Sequence, residues 1–256
     1  MRKILKSFTK RDKLILAGLY LSKFDVPGLK PLGFSSFVEA FNVIGFALGS
    51  KPASIKNYRD EFDPVFPNKR KGWHKRPMRD YCKQIYEKYK SLNLQEFSGM
   101  IKKLTYQNGE IDILEEKVSM KYDKPDEHSF AKRLLTGQAA ENFFEINYHE
   151  IPEFKNFHLE NTTKLGCGFD FKLTNDNNTN FLGIEVKGLF ESFGAISLTT
   201  KEYKVADILK NRFYIFVVKN FKESPYYEFY RNPLESKLLF KKIERQVKQI
   251  SWTANV

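Results

Sequence analysis

The sequence predicts an α/β protein, α+β overall, with a mainly helical N-terminal part and a β-rich C-terminal part. Three observations carry this. Up to about Leu104, apolar residues recur at spacings of three and four, as on one face of a helix. From residue 131, one further helix gives way to short runs with a period of two, rich in Phe, Ile and Val. Charge divides the chain in the same way: residues 1–130 hold 25 Lys and Arg against 16 Asp and Glu, a surplus of nine out of the total +12.

The elements follow in order. Asp12 to Phe24 carries Leu14, Leu16, Leu19 and Leu21 in a helix-like stripe. Ser36 to Leu48 places Phe37, Ala40, Phe41, Ile44 and Leu48 on one side, and Gly49 is a natural stop. Ser50-Lys51-Pro52 then opens a third helix, with Ser50 as its cap and proline in the first turn, running to about Phe62 before Asp63-Pro64. Pro77 to Ser91 gives a fourth, with Met78, Tyr81, Ile85, Tyr86 and Tyr89 as its apolar side. Residues 105–130 mix charges with Asn108-Gly109 and Lys124-Pro125, and read as a linker. Ala131 to Ile146 is helical again. Gly168 to Leu173 alternates, with Phe169, Phe171 and Leu173 on one face and Asp170 on the other. A polar loop from Thr174 to Asn180 leads into Phe181 to Lys187, where Glu185 and Lys187 share a face. A third strand is expected over Ala195 to Leu198, a helix from Thr200 to Leu209, and a buried central strand over Phe213 to Val218. The expected domains are therefore 1–104, helical and basic; 105–130, connecting; and 131–256, carrying the sheet.

Composition narrows the function classes. At 256 residues, with 41% hydrophobic residues and 24 Phe, the chain has material for one large core or two modest ones. Two cysteines, Cys82 and Cys167, are too few for a disulfide framework, so a cytoplasmic location is expected. Met1-Arg2-Lys3 is followed by no apolar stretch of the signal-peptide kind, and the longest apolar run, Leu14 to Leu21, is far short of a membrane span. His74, His128, His149 and His158 have no ligand spacing with one another or with the cysteines, which argues against zinc. A surplus of +12 costs self-repulsion, and a polyanion is a common reason to carry it. Solubility alone is the plainer reason.

The second and third helices, joined by a short Gly-containing turn, form a helix-turn-helix candidate, with Lys51, Ser54, Lys56, Asn57 and Arg59 as its exposed positions. An ordinary helical bundle gives the same pattern. The segment after it is more pointed: Lys69-Arg70-Lys71-Gly72-Trp73-His74-Lys75-Arg76 is a basic loop around an aromatic. Its cations suit phosphates, Gly72 permits close backbone approach, and Trp73 can stack or wedge. Together with Leu48 to Ile55, this stretch resembles the small modules that precede nuclease domains in some restriction-type proteins.

An antiparallel hairpin brings Asp170 and Glu185 to one region. Two carboxylates on adjacent strands suit Mg²⁺, which prefers oxygen ligands. Lys187 points the same way as Glu185 and can orient water or stabilise developing charge. The backbone carbonyl of Val186 is a further expected metal ligand. A salt-bridged sheet surface is the rival explanation. Against it stand the otherwise apolar strand around Glu185, the aromatics flanking Asp170, and the acid Glu141 on the preceding helix.

Asp170 followed by Glu185-Val186-Lys187 resembles the signature of the PD-(D/E)XK nuclease superfamily, and more narrowly a Mrr-related endonuclease-like family. The matching pieces are Gly137 to Glu141, Gly168 to Phe171, Ile184 to Gly188, Leu198 to Tyr203 with Ala206, and Tyr214 to Val218, in family order. The resemblance implies a restriction-endonuclease-like core, a mixed sheet flanked by helices, and Mg²⁺-dependent hydrolysis leaving 5′-phosphate and 3′-hydroxyl ends, with Mn²⁺ as a substitute ion. It implies Asp170 and Glu185 as metal ligands, Lys187 as the catalytic lysine, and Glu141 as an accessory acid beside them. Phe169 stands where the signature often has proline. Gln138 is a candidate for substrate contact. Thr199 and Glu202 read as a helix cap.

The expected function is a type II restriction endonuclease cutting double-stranded DNA at a specific site, working as a homodimer, with a cognate DNA methyltransferase as a possible partner in the same system. Its rivals are a modification-dependent or structure-specific repair nuclease, a catalytically inactive DNA-binding protein, and a nuclease acting on RNA.

Overall fold

A computed structural model describes residues 8–106, 134–176, 178–244 and 252–254. The expected linker lies almost wholly outside the described residues, as do the first residues of the helix expected from Ala131, and His128.

Among the described residues, the N-terminal half is a bundle of five helices: α1 (Lys10–Phe24), α2 (Phe37–Ala47), α3 (Pro52–Phe62), α4 (Asp80–Tyr89) and α5 (Leu94–Thr105). Their ends have local causes. Thr9 and Asp12 form a capping box on α1, and the Ser36 side chain accepts from the Glu39 amide at the start of α2. Helix α2 stops as expected at Gly49, whose φ of 66° allows its N–H to reach Phe46 O while Ser50 N–H reaches Gly45 O. Ser50 is not the cap of α3. Lys51 holds that position without a side-chain bond, and Pro52 fills the first helical position. Helix α4 begins three residues later than the periodicity suggests, and the N–H of its N-cap residue, Arg79, is taken by the Glu61 carboxylate at 2.8 Å. Helix α5, which the periodicity does not single out, opens on a capping box of Asn93 and Glu96.

Helices α1 and α3 meet across Gly18, where a Cβ would stand 2.5 Å from the Tyr58 Cβ. That contact requires glycine in mid-helix, despite its cost to helix propensity.

The C-terminal half opens with a π-helix (Leu134–Ala139) that runs directly into α6 (Ala140–Asn147). Five strands follow: β1 (His158–Asn161), β2 (Phe171–Asn175), β3 (Asn178–Gly188), β4 (Phe213–Lys219) and β5 (Tyr226–Arg231), with α7 (Thr200–Leu209) between β3 and β4. The sheet order is β1-β2-β3-β4-β5; β3 and β4 are parallel and every other pair is antiparallel. The sheet is mixed, and the protein is α+β, as the sequence predicts.

Two strand expectations are corrected. Residues 195–199 form no strand; Ile196 and Leu198 instead pack as irregular chain beside α7. The alternation read from Gly168 breaks: β2 starts only at Phe171, and Phe169 joins the apolar cluster on the opposite side of the sheet from Phe171. Gly168, just ahead of the break, has φ at 96°, a conformation open to glycine. The polar β1 and the aromatic β5 close the two edges, and neither carries a signal distinct from loop in the sequence.

The sheet has two covered faces. Phe171, Leu173, Ile184, Val186, Tyr214, Phe216 and Val218 belong to the large core that continues through α6 into α1, α2 and α5. Phe213, Ile215 and Val217 face the other way, against Ala206 and Leu209 of α7. Helical and sheet halves thus share one continuous core. Polar bonds reinforce it: Asn142 Nδ2 donates to Phe46 O and Ala47 O at 2.9 and 3.2 Å, and Asn42 Nδ2 to Phe221 O and Glu223 O.

Candidate active site

The β2–β3 register pairs Phe171 with Ile184, so Asp170, just ahead of β2, lies beside Glu185. Two bonds fix it there. The Asp170 N–H donates to Ile184 O at 2.9 Å, and Asp170 Oδ2 accepts the Val186 N–H at 2.8 Å. Because Ile184 and Val186 face the large core, Glu185 and Lys187 project to the α7 side. There Lys187 Nζ donates to Glu185 Oε1 at 2.5 Å and to Glu202 Oε2 at 3.1 Å. Glu141 approaches from α6, close enough to Asp170 and Lys187 for their charges to act on it.

Burial sets the electrostatics. Glu185 is 4% exposed. Desolvation, then the Asp170 charge, pushes its carboxyl above the usual range against the pull of Lys187. Asp170 is also raised, by burial first, although the Val186 N–H and Lys187 favour its anion. Glu141 is pushed up to about 8 by burial, then by Asp170 and Glu145, with Lys187 opposing. Burial pulls the Lys187 ammonium down, but Glu185 and Glu202 outweigh it and hold it above the usual lysine range. One cation therefore serves several buried carboxylates, an arrangement short of positive charge.

The sequence-predicted Asp170, Glu185 and Lys187 are thus brought together, with Glu141 within electrostatic reach of Asp170 and Lys187. Glu202 is the residue that sequence reasoning reduces to a cap. The capping box with Thr199 is present, yet the same carboxylate also holds Lys187. The Val186 main chain enters the site through its N–H to Asp170. Among the described residues, no group of three or more His, Cys, Asp and Glu side chains is arranged as a metal cage. Cys167, expected to be buried, is half-exposed, with its thiol against Phe169 O. Gln138 turns away from the site: Nε2 bonds Ala47 O and Thr105 O, the carbonyl ends of α2 and α5.

The basic N-terminal surface is rearranged relative to expectation. Three carboxylates, Asp60, Glu61 and Asp63, crowd the C-terminal end of α3, where the helix dipole disfavours them. The arginines of the basic loop answer them. Arg70 reaches buried Asp63 through Nε and Nη2 at 2.9 and 3.0 Å, and Asp25 at 2.5 Å. Arg76 forks onto Glu61 at 3.1 and 2.5 Å, and Arg79 joins it. Arg59, expected to be exposed, binds Asp60 and stacks on Phe37 and Phe41. Trp73 lies under Arg76 and Arg79, with ring centroids 4.4 and 5.3 Å from the guanidinium carbons. Gly72 allows close approach to the protein itself: a Cβ there would stand 2.3 Å from Asp60 O. Ser54 is half-buried and bonds Ser50. Lys51, Lys56, Asn57, Lys69, Lys71, His74 and Lys75 are exposed, and Lys69, Lys71 and Lys75 have no ion pair among the described residues. The acidic signal that explains the arginines stands in the sequence, immediately before the loop.

Fold and site together define an α+β protein with a buried carboxylate–lysine cluster on the central strand of a mixed sheet. Residues 140–231 match the family described as Protein NO VEIN, C-terminal. The matched stretch runs from α6 to the end of β5 and takes in Glu141, Asp170, Glu185, Lys187 and Glu202, but not the helical bundle. No curated protein and no solved structure matches the chain. No helix among the described residues is long and apolar enough to cross a membrane.

Proposed function

We propose that the chain is a metal-dependent DNA endonuclease of the PD-(D/E)XK kind, and a type II restriction endonuclease in particular. The observation that carries this is the placing of Asp170 and Glu185 side by side with the buried Lys187 ammonium, within electrostatic reach of Glu141. A salt-bridged sheet surface does not account for it, because the cluster is buried and holds more acid than one lysine balances.

The donor set fits Mg²⁺: the available side-chain ligands are hard carboxylate oxygens, and their protonation is raised in a way that a divalent cation would relieve. Asp170 and Glu185 would hold the ion, with the Val186 carbonyl as a further oxygen and Glu141 beside them. Bound there, Mg²⁺ would neutralise phosphodiester charge and lower the pKa of an attacking water. Lys187, held charged by two carboxylates, presents an ammonium to the non-bridging oxygens, where it stabilises developing negative charge. Asp170 is kept in one orientation by the Val186 N–H, which limits reorganisation during reaction.

DNA reaches the site over a basic surface in which lysines, not arginines, are free. Lysine is a point charge suited to phosphates, whereas bidentate base reading is chiefly an arginine property. This observation favours a second reading, a structure-specific or modification-dependent nuclease that grips the backbone.

Incubation with unmethylated phage DNA and Mg²⁺ tests both readings. Discrete fragments identify the restriction enzyme. Cleavage confined to branched or methylated substrates supports the second reading, and cleavage confined to RNA moves the substrate class. No cleavage with any divalent cation refutes the nuclease proposal. Glu185→Ala and Lys187→Ala should each lower the rate by about 10² or more while DNA affinity is retained. Sedimentation with and without DNA tests the proposed homodimer.

A further inference from the structure

The Thr199–Glu202 box has a feature that capping does not explain. Helix α7 needs only that Glu202 accept the Thr199 N–H, at 2.8 Å, and that Thr199 Oγ1 accept the Glu202 N–H, at 3.3 Å. The same oxygen, Oε2, also accepts from Lys187 Nζ at 3.1 Å. The molecule supplies its own comparison. Helices α1 and α5 open on the same kind of box, and their acids, Asp12 and Glu96, form no ion pair among the described residues. The Glu202 side chain is mostly buried, at 16% exposure, and lies on the face of α7 turned toward β3.

Helix α7 touches the site at two further points. Gly168, two residues before Asp170, packs so closely that a Cβ would stand 2.8 Å from Val205 Cγ2. Lys201 Nζ donates to Gly166 O at 2.6 Å, tying down the loop that leads into Asp170. One helix thus holds both the Asp170 loop, through Lys201 and Val205, and the Lys187 ammonium, through Glu202. A lysine stem has four rotatable carbons, so a single bond to Glu185 would leave the ammonium free to swing. Glu185 is also the carboxylate proposed to share its charge with a metal.

We infer that Glu202 is the positioning residue for Lys187: its carboxylate closes the first turn of α7 and, with the same oxygen, fixes the ammonium beside Glu185. The catalytic consequence rests on the nuclease reading; the hold on Lys187 does not.

Three variants separate the two roles. Thr199→Ala removes half of the cap and leaves the Glu202 carboxylate and the Thr199-position N–H in place. Glu202→Gln keeps an acceptor that serves a capping box but loses the charge. Glu202→Ala loses both. The first readout is reductive methylation of Lys187 in the metal-free protein, followed by mass spectrometry against the exposed lysines. The second is kcat and KM for DNA cleavage, and the third is Tm.

For Thr199→Ala, Tm should fall by a few degrees while Lys187 labelling and kcat stay within about twofold of the parent. For Glu202→Gln, Tm should hold, Lys187 labelling should rise several-fold, and kcat should fall roughly tenfold or more at unchanged KM. Glu202→Ala should show both of these effects together with a fall in Tm. Parent-like labelling in Glu202→Gln overturns the inference, whatever the rate does. Parent-like kcat beside raised labelling overturns the catalytic half alone. If the parent cuts no nucleic acid, the nuclease reading fails, and the labelling still decides whether Glu202 holds Lys187.

Discussion

Glu141 sits one helical turn before Glu145 on α6 and faces Asp170 across the site. Burial and these two charges raise its carboxyl to about 8, from the ordinary 4.5. The sign of the resulting pH dependence follows directly. A group whose folded-state pKa is raised contributes its full stability below the ordinary value and loses it as pH climbs through the raised one. Without divalent metal, the parent should therefore lose Tm between pH 5 and 8.5 relative to Glu141→Gln, which carries no titrating group there. Thermal melts of the two proteins at both pH values check this, and a constant difference rules out a strained Glu141 anion. Adding Mg²⁺ at the upper pH should raise the parent's Tm more than the variant's, since a cation acts on the charged form.

Among the elements, helix contacts carry the sharpest mutational expectations. Gly18→Ala places a methyl 2.5 Å from the Tyr58 Cβ and within 2.8 Å of the α3 backbone. Helices α1 and α3 would have to part, at a cost of about 1–3 kcal/mol or more, read from urea unfolding at unchanged m-value. Gln138→Ala takes the Nε2 donor from Thr105 O, while Ala47 O keeps Asn142 Nδ2, at a cost of about 1–3 kcal/mol. The legibility of these elements varies for physical reasons. Helices α2, α3 and α7 could be read closely because local chemistry sets their ends: Ser36, Gly49, Pro52 and the Thr199–Glu202 box act within a few residues. Strands β1 and β5 could not. Each is an edge strand, half-exposed and polar or aromatic throughout, so pairing with a neighbour and not its own pattern makes it a strand.

At the scale of the whole molecule, the continuous core predicts one cooperative transition. Calorimetric and van't Hoff enthalpies should agree, and a two-step melt would show that the halves are separable. The surface charge divides into two kinds with opposite mutational signatures. Replacing Lys69, Lys71 and Lys75 with alanine should leave Tm unchanged and reduce the salt dependence of DNA binding by roughly two to three in log–log slope. Arg70→Ala should instead destabilise by about 1–3 kcal/mol, because the fully buried Asp63 carboxylate loses its two-pronged partner and keeps only Ser22 Oγ at 2.7 Å and Arg59 at 3.7 Å. Equal effects from the two replacements would show that the arginine is not structural.

By itself, the sequence determined the α+β division, the α2–α3 and α7 boundaries, and the nomination of Asp170, Glu185, Lys187 and Glu141. All of these follow from local periodicity, local capping or recognisable spacing. Tertiary structure decided matters that depend on residues far apart in the chain. It turned Arg59, Arg70, Arg76 and Arg79 onto the acids of α3, because a crowded negative helix end attracts the nearest cations, and it laid Trp73 against Arg76 and Arg79. It turned Gln138 from a substrate contact into a tie between helix ends. At the site itself, it added Glu202, a second carboxylate partner for Lys187 that becomes visible only when α7 packs against β3.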